Sequence, residues 1–355
     1  MPNRHNQTTE IMDLRRCTVM PGLIDTHVHL AMSGTHDRRI RQHQLNANFD
    51  EAKRMISTNL RDHLTHGVIA VRDGGDKNGH VLRYKRQTLD WNKTPVHLHS
   101  AGLAFHREGR YGGLFGRALS TNDNLADAIT HDTSRIDHIK IFNSGINSLK
   151  QFGHPTPPQF QLNELKEAVQ AAARRDLSVM VHANGSLPVS IALDSRCHSV
   201  EHGFFMGQEN LEKMAEQGVN WVPTAGTMKA YSEQSKPKTP ESEISSKTLV
   251  HQLEQISKAH QANVPMTLGT DAGSPGVDHG SGMLEELKLF LSAGLSVSEA
   301  VRCATLNAAK LLGLKRLGLL ASGMEATFLA LKGKPSDFPE NLTQIEMMFI
   351  KGKSY

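Results

Sequence analysis

Short apolar runs recur along the chain, each bounded by glycine, proline or polar residues. Leu23-Ile24 leads into Asp25-Thr26-His27-Val28-His29, and Val68-Ile69-Ala70-Val71 is closed by Asp73-Gly74-Gly75. Similar runs occupy residues 96–100, 138–142, 177–181, 199–203, 220–224 and 266–271. Their length and punctuation predict eight strands. Between them the apolar period lengthens to three or four residues. Residues 49–66, with Met55, Ile56, Leu60 and Leu64 on one face and Gly67 as a stop, predict a helix. So do residues 81–91, 125–131, 163–175, 188–194, 210–217, 248–261, 283–293 and 296–312. Strands alternating with helices argue for a parallel sheet. Eight such units in series, with polar groups at nearly every strand end, favour an α/β fold of the (β/α)8 TIM-like barrel type over an open doubly wound sheet. Residues 232–245, rich in Pro, Ser, Glu and Lys, read as a mobile loop.

The period changes again after Leu314. Residues 328–331 and 345–350 read as two strands joined by a polar loop, too little to bury a core alone. Thr18-Val19-Met20 is the obvious partner. The expected division is therefore a barrel over residues 21–320, with residues 1–20 and 321–355 forming part of a small, truncated β-sandwich.

Composition narrows the function classes. At 355 residues the chain can bury one large core or two ordinary ones. The net charge of +4 is small for this length, and Lys and Arg are scattered without an aromatic-interleaved basic stripe, which argues against nucleic acid as a partner. No apolar run approaches the roughly 18 residues of a membrane span, and the polar N-terminus lacks a secretory signal core. Cys17, Cys197 and Cys303 are odd in number and far apart, as free thiols in a reducing compartment would be. The expectation is a cytoplasmic protein acting on a small molecule, with a homo-oligomer compatible with everything above.

The chemistry lies where strands end. His27 and His29 alternate with Val28, so both point to one face of the first strand. Two neutral imidazoles so placed can grip one metal ion. Lys140 lies on the fourth strand, His182 and His202 close the fifth and sixth, and Asp271 closes the eighth. Each alone has an ordinary explanation: an ion-paired lysine, a hydrogen-bonded core histidine, a turn-forming aspartate. In a barrel, however, these strand ends share one rim, where active sites are built. A protonated lysine cannot bind a cation. As its carbamate, Lys140 would carry a negative charge and two oxygens able to bridge two ions. Water on such a pair drops in pKa from about 15.7 towards ~7, which makes hydroxide available to attack a polarised carbonyl.

The segments PGLIDTHVHL, IKIFNSG, VMVHANG, VEHGFF, WVPT and LGTDAG, in this order over residues 21–273, resemble the amidohydrolase superfamily of metal-dependent hydrolases. The following HGSGMLEELKLFLSAGLSVSEAVRCATLNAAKLLGL is similar to the helical segment after that family's last barrel strand. Lys140 with the EHG, PT and GTDAG segments is most similar to its imidazolonepropionase-like and prolidase-like branch. The resemblance implies two divalent metal ions, with zinc expected, and a carboxylated Lys140 bridging them. His27 and His29 would hold the more buried ion, and His182 and His202 the more exposed one. Asp271 would bind metal and act as the catalytic proton shuttle. The implied activity is hydrolysis of a C–N bond in a small molecule, such as a dipeptide or an N-acyl amino acid. A cyclic-amide hydrolase, a deaminase or a non-catalytic relative on the same scaffold are the alternatives; Lys140 weighs against the deaminase and the full ligand set against the last. Two features depart from the family pattern: the 20 residues before Pro21 are few, and Glu325-Ala326-Thr327-Phe328 stands where Ala-Asp-Leu is usual.

Substrate selection must come from loops. His106, Arg107, Arg110 and Tyr111 follow the third strand, Asn143 and Ser144 the fourth, Tyr231 the seventh and His279 the eighth. The arginines suit a carboxylate. Of the set, His106 and Tyr231 are the expected substrate-binding residues, because similar positions in the prolidase-like branch face the substrate.

Overall fold

The computed structural model describes residues 12–234 and 239–355. β1 (Cys17–Pro21) runs directly into β2 (Leu23–Val28), every residue of which is buried. A charged helix, α1 (Arg38–Leu45), follows, started by the Asp37 carboxylate accepting from Arg39 and Ile40 N–H. The expected long helix is α2 (Phe49–Thr65), closed at its start by a reciprocal pair in which Asn48 and Glu51 side chains each accept the other's backbone N–H. Then come β3 (Val68–Asp73), α3 (His80–Gln87), β4 (His97–Ser100), β5 (Ala104–Arg107), β6 (Gly116–Leu119) and α4 (Leu125–Thr130). The regular alternation resumes with β7 (His138–Phe142), α5 (Leu162–Ala173), β8 (Ser178–Ala183), α6 (Ser186–Asp194), β9 (Ser199–His202), α7 (Gln208–Gln217) and β10 (Asn220–Val222).

The strands close into a TIM-like barrel. β2, β3 and β4 pair in parallel, and β10, β9, β8, β7 and β5 continue the parallel set, with β6 on the outer edge. The third barrel strand departs from expectation. It breaks at Gly102, whose φ of 66° is left-handed, so β4 pairs with β3 while β5 turns to β7. The loop expected over residues 106–116 is partly strand for the same reason. The eighth strand is also irregular. Residues 265–272 cross the last gap through separate contacts: Trp221 N–H donates to Pro265 O, Thr26 N–H to Leu268 O, Asp271 N–H to His27 O and His29 N–H to Ala272 O, at 2.8–3.1 Å.

The segment 232–245 is not the loop expected. α8 (Gly226–Gln234) fills its start and α9 (Pro240–Gln261) its end, leaving residues 235–238 outside the described chain. Pro240 sits in the first turn and Thr239 accepts from Ser242 N–H, so the residues that looked loop-like start a helix. α10 (Gly282–Ser292), α11 (Val297–Cys303) and α12 (Leu306–Leu311) complete the outer layer. β11 (Phe328–Lys332), β12 (Ile345–Ile350) and β13 (Lys353–Ser354) then join β1 in an antiparallel sheet of order β1-β11-β12-β13. Among the described residues the terminal strands thus form one antiparallel sheet, in which β1 partners β11 as expected. It packs on the turn before β3: a Cβ on Gly67 would lie 2.5 Å from Leu329. All three cysteines are unpaired, and no helix of the described residues is long and apolar enough to cross a membrane.

Candidate active site

The end of β2 delivers His27 and His29, with ring centroids 5.5 Å apart. Asp271 meets both: its Oδ1 lies 3.5 Å from His27 Nε2 and 3.3 Å from His29 Nε2. Ligand atoms of these three residues fall within 4.8 Å of one another. His202, from the end of β9, brings its ring to 4.9 Å from that of His27, and His182, from β8, packs 4.6 Å from His202. Lys140, from the middle of β7, is fully buried, and its Nζ has no hydrogen-bond partner among the described residues. All six predicted ligands therefore converge on one rim, though only His27, His29 and Asp271 lie close enough to share an ion as they stand.

Each imidazole is anchored through one nitrogen. His27 Nδ1–H donates to the Glu201 carboxylate at 2.7 Å, and His29 Nδ1–H to Gly75 O at 3.3 Å. His202 Nδ1 is hydrogen-bonded to Thr224 Oγ1 at 2.7 Å, and His182 Nε2–H donates to Gly145 O at 3.1 Å. The opposite nitrogen of each ring is left as a lone-pair donor, the arrangement that orients metal-binding histidines. Burial holds His27 and His202 well below the ordinary imidazole range, and His182 at about 3, so the rings are neutral at neutral pH. Burial also pulls the Lys140 amine down to about 8. Asp271 goes the other way. Burial alone would raise it, yet the adjoining His29 and His27 rings and Ser274 Oγ–H at 2.9 Å hold it well below the carboxylate range. The chemistry of this donor set, four histidines each anchored through one nitrogen, a carboxylate and an unpartnered buried amine, fits divalent cations.

Below this rim lies a layer that the sequence motifs contain but do not announce. Glu201 also accepts from Arg72 Nη2–H at 2.9 Å, and Arg72 Nε–H donates to Thr26 O at 2.6 Å. Asp25 accepts from Thr270 N–H at 3.0 Å and Thr270 Oγ1–H at 2.6 Å, which ties β2 to the residue before Asp271. An acid beside a ligand histidine inside an apolar strand, as in Val200-Glu201-His202, was the available signal.

Above the rim opens a cleft of about 290 Å³ reached by His182, His202 and Asp271. Tyr231 on α8 lines it, as expected. His106 does not. Its ring lies beneath the following loop, where a Cβ on Gly112 would come within 2.5 Å of its Cβ, and its Nδ1–H donates to Arg107 O at 2.9 Å. The two arginines of that loop also face elsewhere: Arg107 pairs with Glu164 over the Phe160 ring, and Arg110 donates to Pro157 O at 2.9 Å. Asn143, Ser144 and His279 are buried and spent on local hydrogen bonds. The cleft's arginine is instead Arg41 of α1, held by Ser33 O and Gly273 O at 3.0 Å, and Tyr111 stands with it in the wall.

Known proteins carry the same pattern. The amidohydrolase family profile matches residues 18–354. An ochratoxinase of Aspergillus niger is 30% identical over 201 residues, covering 56% of this chain and 41% of that protein. An imidazolonepropionase of Burkholderia cenocepacia is 26% identical over 344 residues, covering 85% of this chain and 74% of its own. A solved structure of a Xaa-Pro dipeptidase with methionine bound in its active site superposes with a TM-score of 0.83 at 23% identity, over 99% of this chain and 90% of the other. The chain belongs to the amidohydrolase family and is a hydrolase of C–N bonds.

Proposed function

We propose that this protein is a binuclear metal-dependent amidohydrolase that cleaves the C–N bond of a small molecule carrying a carboxylate close to the scissile amide. One observation carries the metal assignment: the buried, unpartnered Nζ of Lys140 amid four histidines, each with one nitrogen anchored. Burial keeps a large fraction of that amine neutral and nucleophilic near pH 8. Attack on carbon dioxide forms a new N–C bond with loss of one Nζ proton, leaving a carbamate. Two divalent cations, zinc the favoured identity, would be held by His27, His29, His182, His202, Asp271 and carboxylated Lys140. When bound they would supply carbonyl polarisation and activation of water.

The chain's own groups do the rest. Asp271, ionised and lying against His27 and His29, accepts the proton of the attacking water and returns it to the leaving nitrogen. Arg41 and Tyr231 offer a guanidinium and a phenol for the substrate carboxylate, in place of His106 and the arginines of its loop. Glu201 and Thr224 hold the imidazoles in place.

Metal analysis tests this directly. Wild-type protein should hold close to two divalent ions per chain, bicarbonate should aid reconstitution, and Lys140→Ala should lose most metal and activity. One firmly bound ion with Lys140→Ala fully active would reject the binuclear assignment. Asp271→Asn should reduce kcat by orders of magnitude in a folded, metal-loaded protein.

A further inference from the structure

A second cluster of imidazoles lies at the other end of the barrel. His99, His138 and His198, together with Arg72, line a cavity of about 400 Å³. It opens where strands begin: His138 starts β7, Ser178 starts β8 and His198 immediately precedes β9. It shares no lining residue with the cleft above the rim. Its size falls among small-molecule sites, which run from about 300 to 1,000 Å³.

N–H donors dominate its polar lining. His138 is 1% exposed, and neither of its ring nitrogens has a partner among the described residues. Buried polar groups are normally satisfied, and a neutral imidazole has one N–H to give. His198 Nδ1 accepts from Val179 N–H at 3.0 Å, which puts the hydrogen of its neutral ring on Nε2. Arg72, 3% exposed, donates through Nε to Thr26 O, through Nη1 to Ser199 Oγ and through Nη2 to Glu201. A second hydrogen remains on each of its terminal nitrogens. The acids nearby are spent or outside. Both oxygens of Asp137 accept from Lys85 Nζ–H, at 2.6 and 2.7 Å, Glu201 is paired with Arg72, and Asp176 is exposed at the mouth. Burial first, and the Arg72 charge in addition, hold His99 and His198 below the ordinary imidazole range, as a positive field does. A metal ion fits less well, because the three imidazoles do not bring ligand atoms within 4.8 Å of one another as His27, His29 and Asp271 do. We propose that this cavity is a second ligand site, for a small oxyanion, a carboxylate or a phosphate, received by N–H groups of Arg72, His138 and His198. Arg72 also holds Glu201, the acceptor of His27 Nδ1–H, so two contacts join this site to the metal rim.

The test titrates metal-replete protein with sodium benzoate and with inorganic phosphate at constant ionic strength, by calorimetry and by imidazole nitrogen NMR. The NMR signals are assigned with His138→Leu and His198→Gln. At least one anion should bind and shift the His138 and His198 signals, and should do so equally in Arg41→Ala, which removes the cleft's guanidinium. Affinity should fall by about tenfold or more in His138→Leu, which removes hydrogen bonds to a charged ligand. It should fall by about as much in Ala173→Trp, which narrows the mouth from the exposed end of α5 and removes no donor. Where benzoate binds, its uncharged isostere benzamide should bind about tenfold or more weakly. Tighter benzoate would identify an organic carboxylate whose body rests on Leu177, Leu311 and Leu312, and tighter phosphate a phosphate ligand; either upholds the site. Signals of His138 and His198 unmoved by both anions, affinity unchanged in both His138→Leu and Ala173→Trp, or benzamide bound as tightly as benzoate would overturn it and leave a cavity filled by water.

Discussion

Three non-glycine residues at the site hold left-handed backbone: His202 at φ 67°, Thr224 at φ 48° and Asp271 at φ 59°. Such conformations persist where surrounding contacts over-determine them. His202 O accepts from Trp221 Nε1–H at 3.0 Å and Gln252 Nε2–H at 2.7 Å, while Asp271 N–H is held by His27 O at 2.8 Å. The support below is a buried charge pair, Glu201 with Arg72, both nearly without solvent exposure. Removing one partner of such a pair leaves the other charge uncompensated, at a cost of about 3–5 kcal/mol. Glu201→Gln should therefore lower stability to urea by about that amount. It should also weaken metal binding by about 10- to 100-fold in chelator competition, because His27 loses the acceptor that orients it. Unchanged metal affinity would show that Glu201 matters only for folding.

At the scale of elements, α8 presents Tyr231 to the cleft, and one carboxylate outside the helix secures its start. Glu286 of α10 accepts from Ala225 N–H at 2.8 Å and Gly226 N–H at 2.7 Å. Glu286→Ala leaves those donors unmet, a cost of about 1–3 kcal/mol, and should raise KM more than it lowers kcat, since α8 carries Tyr231, the proposed binding residue. Burial, acting against those two hydrogen bonds, pushes the Glu286 carboxyl up to about 8 from an ordinary value of 4.5. The folded state then holds this proton more tightly than the unfolded chain. Its contribution to stability is complete below pH 4.5 and is lost as pH rises to about 8, with a slope of up to about 1.4 kcal/mol per pH unit. Glu286→Gln should flatten that part of the stability–pH curve. A curve of unchanged slope would mean that the carboxyl is ionised throughout.

For the molecule as a whole, the weak seam is the gap between β10 and β2, bridged by the irregular residues 265–272. Asp271 lies on the bridging segment, against His27 and His29 at the end of β2. Ions held there would fasten the barrel shut, and any ligand specific to the folded state stabilises it by mass action, by about 2.7 kcal/mol at a hundred times its Kd. Chelation should thus lower the wild-type Tm, and added zinc should restore it. Asp271→Asn should show a smaller response. A Tm indifferent to chelator in protein shown to have lost its metal would separate the ions from barrel closure.

The alternation of short apolar runs with helical periods was enough to anticipate the barrel, because strands buried on both faces and covered by helices have little freedom in composition. The gathering of the candidate ligands was equally legible: His27, His29, Lys140, His182, His202 and Asp271 stand at or near strand ends, and a barrel collects strand ends on one rim. The cleft was not legible. His106 looked like a binding residue because similar positions in the prolidase-like branch face the substrate, yet the loop folds over it. Arg41, on a polar helix without apolar period, reaches the wall only because Ser33 O and Gly273 O, far apart in sequence, hold its guanidinium. The loop expected over residues 232–245 proved to contain two helix ends, since Pro240 and Thr239 serve equally as loop formers and as a helix start. Periodicity records which face of a segment is buried, so it determined the fold and the rim on which the candidate ligands gather. Which side chains meet above that rim depends on contacts between distant loops, and that only the tertiary structure decided.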